Sequence, residues 1–236
     1  MRFSGKTVVI TGVGRAGQVG EALAAAFGAE GARLALLDVQ GDEAHARAAT
    51  LKGEGIDAFA VACDLTDAEA TRAAAAHVGQ AFTHVDALVC VAGGFAMSGD
   101  LAEADPAIFH RQVAINLTTA WMATRAFLPL VRASKGAITY FTSAAALPGG
   151  RSAGMSAYVA AKAGVLSLMQ TVAQEEQPHG VRANALAPTA IRTAANVASM
   201  GDDFAYVERE EVARTILWLS GDEGRRITGQ VLRLGA

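Results

Sequence analysis

Cysteine is scarce in this 236-residue chain: two occur, Cys63 and Cys90, each within an apolar run, with no Cys-x-x-Cys spacing and no histidine nearby. That argues against a disulfide scaffold or a thiolate metal site and suits a reducing compartment. Charge is thin as well, at 18% of residues with a net of -3. No run of Lys or Arg could follow a phosphate backbone, so nucleic acid is not an expected partner. No apolar stretch is long enough to cross a bilayer, and Met1 to Lys6 lead straight into Thr7 to Ile10 without a signal-peptide pattern. A cytoplasmic protein that does not engage membranes is the expectation. The histidines, His45, His77, His84, His110 and His179, lack metal-ligand spacing, and no Gly-x-Ser-x-Gly elbow follows a strand. Neither a metal centre nor a serine-hydrolase triad is expected.

What the chain has is apolar residues, 52% of the total, enough to bury a substantial core. Short runs rich in Val, Ile and Leu mark strands at Thr7 to Thr11, Arg33 to Asp38, Ala58 to Cys63, Ala87 to Val91, Ala137 to Thr142, Arg182 to Leu186 and Val231 to Leu234. Between them, helical character is read at Val19 to Glu30, Asp42 to Glu54, Ala68 to Ala81, Pro106 to Ala133, Ala157 to Gln177 and Glu208 to Ser220. Such alternation predicts an α/β fold: a single doubly wound domain over residues 1–236, with a parallel sheet of about seven strands and helices on both faces. Thr189 to Tyr206 is the one long connection and a candidate lid.

Two motifs carry chemistry. After the first strand comes Thr11-Gly12-Val13-Gly14-Arg15-Ala16-Gly17-Gln18-Val19-Gly20, opening a helix. Glycines there let the backbone approach a pyrophosphate, and the helix N-terminus offers unpaired N–H groups. The second strand ends at Asp38, close to where a carboxylate meets the adenosine ribose, so NAD is expected over NADP. Arg15 pulls the other way, because a guanidinium in the turn could serve a 2′-phosphate. Downstream, Tyr158-Val159-Ala160-Ala161-Lys162 puts a phenol and an ammonium on one helix face. The expectation is a phenol acidified by its neighbour and able to exchange protons near neutral pH.

With these motifs together the sequence resembles the short-chain dehydrogenase/reductase family along essentially its whole length. Further positions are similar: Asp64-Leu65 to the adenine-ring contact, Ala92-Gly93 to the end of the Asn-Asn-Ala-Gly motif, Asn116 to the helix asparagine and Ser143 to the catalytic serine. Pro188-x-x-Ile191-x-Thr193 is similar to the nicotinamide-side turn. The resemblance implies a Rossmann fold and a Ser-Tyr-Lys oxidoreductase. Tyr158 would be the acid/base, Lys162 would hold the nicotinamide ribose, Ser143 would bind the substrate oxygen, and Asn116 would support a water relay. Gly12, Arg15, Gln18, Val19, Gly20, Asp38, Asp64, Leu65, Ala92, Gly93, Tyr158, Lys162, Pro188, Ile191 and Thr193 would line the cofactor.

The chain also departs from the pattern. Its glycine turn is two residues longer than the common one, a spacing similar to the divergent enoyl-reductase branch, whose Tyr and Lys are six residues apart where this chain has three. Cys90-Val91 replaces the two asparagines, and Thr189 replaces a glycine. Ser143 precedes Tyr158 by fifteen positions, more than is common, with Ser152 and Ser156 as rival hydroxyls. Phe95, Met97, Met155 and Met200 suggest an apolar pocket for a small ketone/secondary-alcohol couple, while Arg151 or Arg192 could meet an anionic group. Alternatives are a dihydropteridine-reductase-like C=N reduction, on Thr193-Ala194-Ala195-Asn196, and a regulator that senses NAD without turnover. The resemblance also implies a homotetramer or homodimer through the two long central helices and the C-terminal strand.

Overall fold

Apolar runs this short can be fully buried only as inner strands covered on both faces, and the chain uses them so. In the computed structural model, which describes residues 1–235, the elements run β1 (Thr7–Thr11), α1 (Val19–Ala29), β2 (Arg33–Asp38), α2 (Gly41–Gly53), β3 (Ala58–Ala62), α3 (Ala68–Ala81) and β4 (Ala87–Cys90). There follow α4 (Pro106–Val113), α5 (Thr119–Ser134), β5 (Ala137–Phe141), α6 (Ser156–Glu175), β6 (Arg182–Pro188), α7 (Ala194–Met200), α8 (Arg209–Ser220) and β7 (Val231–Leu234). All strand pairs are parallel, in the order β3-β2-β1-β4-β5-β6-β7. This is a Rossmann-like α/β fold. Strands β1, β4 and β5 are buried along their whole length, whereas the edge strands β3 and β7 are only partly covered.

Alternate strand side chains feed two cores. Val9, Leu37, Leu88, Cys90, Ile138 and Tyr140 pack with Val78, Phe127, Val165 and Met169 on the side of α3, α5 and α6. Val8, Ile10, Leu36, Val89 and Leu186 pack with Leu23, Phe27, Leu51 and Ile216 on the side of α1, α2 and α8. The chain leaves β1 toward β2 and β3 on one side and returns to β4 on the other. The carboxyl ends of β1 and β4 therefore flank the crevice where this topology receives ligands.

Three expectations need correction. Pro106 to Ala133 is not one regular helix, because a π-turn at Ala114–Thr118 separates α4 from α5. The segment from Thr189 to Tyr206 contains α7, which has no buried residue and hence no apolar stripe to betray it. Strand ends move by a residue or two: β6 extends to Pro188 because β7 still pairs with it there, at Leu234.

Candidate active site

At the carboxyl end of β1 the backbone turns so tightly that only glycine fits. Gly12 has φ +73°, and a methyl group there would lie 2.7 Å from both N and Cα of Ala92. Gly20 packs α1 against Gly12 and Val13, its added methyl falling 2.7 Å from Val13 Cα and against the Gly12 carbonyl. The two extra residues are thus absorbed ahead of Gly20, which keeps the close helix-to-strand approach. Thr11 Oγ1 accepts from the N–H groups of Val91 and Ala92, at 3.1 and 3.2 Å, tying the ends of β1 and β4 together without the missing asparagines. Gln18 N-caps α1 with extended backbone and no side-chain bond, so the first-turn N–H groups at this end of the helix carry no side-chain cap. Asp38 reaches across from β2: Oδ2 accepts from Gly14 N–H at 2.7 Å and Oδ1 from Gln40 N–H at 2.9 Å. Arg15 is exposed at the tip of the turn. Asp64 Oδ1 accepts from Thr66, whose bonds hold this carboxyl below its ordinary value, and Leu65 is buried in the core.

Tyr158 and Lys162 lie on the first turns of α6, with Lys162 Nζ 5.8 Å from the centre of the phenol ring. Lys162 is buried and donates to the Phe141 carbonyl at 3.0 Å, and burial lowers its pKa to about 8. Burial also pushes the Tyr158 phenol above its ordinary value, offset in part by the side chain of Ser143. The expected acidification by the neighbouring ammonium is therefore not found in the protein alone. Desolvation sets the direction for each, because both groups have left water. Ser143 caps a 3-10 turn at Ala144–Ala146, and the loop returns to α6 through Gly149 and Gly154, both at positive φ. These turns take up the long Ser–Tyr spacing. Of the rival hydroxyls, Ser156 is engaged elsewhere, 3.1 Å from Ser98 Oγ. Phe95 meets the Tyr158 ring edge to face at 5.0 Å.

Asn116 sits within the π-turn and is buried. It pairs with the loop after β4 in both senses: Oδ1 accepts from Gly94 N–H at 3.2 Å, and Nδ2 donates to the Gly94 carbonyl at 2.9 Å. Nδ2 also donates to Gln112, and a methyl on Gly93 would collide with Oδ1 at 2.6 Å.

A model of the short chain dehydrogenases matches residues 6–203. The chain is also 32% identical to the uncharacterised short-chain type dehydrogenase/reductase y4mP of Sinorhizobium fredii, over 98% of its own length and 96% of that protein's. It belongs to the short-chain dehydrogenase/reductase family, and so to the NAD(P)-dependent oxidoreductases. To trans-4-hydroxycyclohexanecarboxylate dehydrogenase of Sinomonas cyclohexanicum it is 31% identical, over 99% and 92% of the two chains. Its fold superposes on a 3-oxoacyl-[acyl-carrier protein] reductase of Brucella melitensis with bound NAD, with a TM-score of 0.87, 27% identity and coverage of 99% and 90%.

The segment after β6 reaches the glycine turn, where Ala194 N–H donates to the Gly17 carbonyl at 3.0 Å. Pro188 ends the strand, Ile191 bridges to Val207, and Thr193 N-caps α7 by accepting from Asn196 N–H at 3.1 Å. Arg192 is engaged within the protein: it bonds Glu208 and Asp202, at 3.0 and 3.2 Å, and stacks on Tyr206. Arg151 is exposed on the loop before α6. Sequence reasoning missed Thr11 and Gln112. Only Thr11 carried a signal, as the first residue of the glycine turn.

Proposed function

We propose that this chain transfers hydride between NAD(H) and a small, apolar ketone/secondary-alcohol couple. The observation that carries the reading is the placing of Tyr158 and Lys162 together on α6, Lys162 Nζ lying 5.8 Å from the phenol ring centre, bonded to the Phe141 carbonyl two residues before Ser143, and close to Gly93 at the end of β4. The residues present fit the dinucleotide: Gly12 and Gly20 leave room for a close backbone approach, Gln18, Val19 and Gly20 offer the start of α1, and Asp38 stands at the second strand end. Asp64 and Leu65 would flank the adenine, with Arg15 at the rim. Ala92, Gly93, Pro188, Ile191 and Thr193 would border the nicotinamide half, and Tyr158 and Lys162 its ribose. When bound, NAD(H) supplies or accepts the hydride.

The protein's own part is proton transfer and alignment. In carbonyl reduction Tyr158 Oη donates its proton to the substrate oxygen while Ser143 Oγ hydrogen-bonds that oxygen. A phenol held neutral by burial is the form this direction needs. The Lys162 ammonium then stabilises the phenolate left behind. Asn116 fixes the loop after β4 through Gly94 and, by resemblance, supports the relay that reprotonates the site. In alcohol oxidation the same atoms run in reverse.

NAD is preferred to NADP because the Asp38 carboxylate, held by Gly14 and Gln40, would repel a 2′-phosphate. The apolar substrate follows from Phe95, edge to face on Tyr158, and Met97, against Gly154, both about half exposed, and from the pairing of Arg192 with Asp202 and Glu208. The glycine-turn length is similar to the divergent enoyl reductases, but the three-residue Tyr–Lys spacing favours alcohol and ketone chemistry. Ser143 beside Tyr158 favours it over pterin reduction, and retention of both Tyr158 and Lys162 favours turnover over sensing. We place the protein in the cytoplasm, as an oligomer built on the α5 and α6 faces.

A screen of NADH oxidation against ketones, quinones and pterins, run with the parent and with Tyr158→Phe, tests the reading. The variant is expected to keep NADH binding and lose about 10³-fold or more in kcat, in line with loss of a positioned acid/base. A variant with parental kcat would refute it.

A further inference from the structure

The mechanism above makes no use of Glu21, yet its carboxylate stands where three elements meet the glycine turn. It lies in the first turn of α1, and its Oε2 accepts from the backbone N–H of Gly17 at 2.6 Å. Arg47 of α2 approaches Oε1 at 2.8 Å, and Arg209 of α8 approaches Oε2 at 3.4 Å. Gly17 is the inner residue of the lengthened turn, at φ +74°, a backbone that side-chain-bearing residues rarely adopt. Its N–H is held by Glu21, while its carbonyl accepts from Ala194 N–H, at the start of α7, at 3.0 Å. A methyl on Gly17 would lie 2.8 Å from Ala194 Cβ. Gly17 is thus fixed from both sides, by α1 through Glu21 and by the segment that follows Thr193.

We propose that Glu21 is a positioning residue that sets the conformation of the lengthened glycine turn for the dinucleotide, with Arg47 and Arg209 neutralising it. A turn two residues longer has more conformations to lose when it binds a ligand, and a charge-assisted hydrogen bond to its inner N–H removes many of them beforehand. The two arginines answer the charge objection. A lone carboxylate this close to a pyrophosphate would repel it, but two guanidiniums and one carboxylate leave a net positive charge beside the turn. Glu21 touches no reacting atom, so its loss should weaken dinucleotide binding and leave the chemical step alone.

This inference rests on the proposed use of NAD(H), and the experiment separates the two. NADH binding is measured by fluorescence titration, and KM for the cofactor and kcat at saturation by steady-state assay, in the parent, Glu21→Ala and Glu21→Gln. Glu21→Ala is expected to raise Kd and cofactor KM about tenfold, the equivalent of ~1.4 kcal/mol, with kcat within about twofold of the parent. Glu21→Gln keeps an oxygen for the Gly17 N–H and the fold of the turn, and it is expected to recover most of that loss. Unchanged NADH affinity in Glu21→Ala overturns the inference, and so does a fall in kcat without a rise in KM. A parent that binds no NADH overturns the functional reading and this inference with it.

Discussion

Replacing Lys162 by Met tests the electrostatic reading of the site without any substrate. The side chain is buried, and burial lowers its pKa from 10.5 to about 8. A tenfold change in proton affinity corresponds to roughly 1.4 kcal/mol, so keeping this ammonium charged in the fold costs about 3 kcal/mol at neutral pH. Methionine is apolar and of similar length and escapes that cost, but it gives up the bond to the Phe141 carbonyl, worth about 2 kcal/mol for a charged donor. The cofactor-free variant should therefore be about 1 kcal/mol more stable than the parent near pH 7, a rise in Tm of about 2–4 °C for a chain of this size. Above pH 8 the sign of the linkage favours the parent. The folded lysine sheds its proton while the unfolded one keeps it, so the parent regains stability until the unfolded value of 10.5 is passed. By about pH 9.5 it recovers about 2 kcal/mol, and the order of the two Tm values inverts. Scanning fluorimetry of both proteins without cofactor, at about pH 7 and about pH 9.5, measures this directly. A difference that does not move with pH, or one that widens in favour of the variant, refutes the claim of a lysine whose pKa is lowered by burial.

Two further outcomes follow from the cofactor crevice and the outer helices. Asp38→Ser removes the charge that faces the expected 2′-phosphate site, so the ratio of kcat/KM for NADPH to that for NADH should rise at least about tenfold; an unmoved ratio would remove Asp38 from cofactor choice. Trp121 is about half exposed on α5 beside Leu117 and Leu168, a face suited to a second copy of the chain. Light scattering should give a multiple of the 24.2 kDa chain mass for the parent and a smaller species for Trp121→Glu, and a monomeric parent at micromolar concentration would exclude assembly there.

What was legible in the sequence divides along a physical line. β1 and β2 lie where their apolar runs begin and end, because a strand covered on both faces writes its burial into consecutive residues. Helix α7 left no such trace: its side chains stay out of the core, and its start is fixed by Thr193 and a bond to Gly17. The π-turn was equally silent, since Ala114 to Thr118 is ordinary helical sequence. Its extra residue accompanies the turning of Asn116 onto Gly94 and Gln112, a demand set by the loop after β4. Charge followed the same rule. The spacing of Tyr158 and Lys162 could be counted, but the direction in which the phenol titrates depends on how much water each group loses, and that is decided by Phe141, Ser143 and Phe95, from other elements. Glu21 shows the limit most plainly, because its partners Arg47 and Arg209 lie on two other helices and its most intimate contact is a backbone N–H, which no side-chain type announces. Side-chain type at a fixed spacing can announce a reaction, whereas the polar contacts that tune it are written only in the packing of elements against one another.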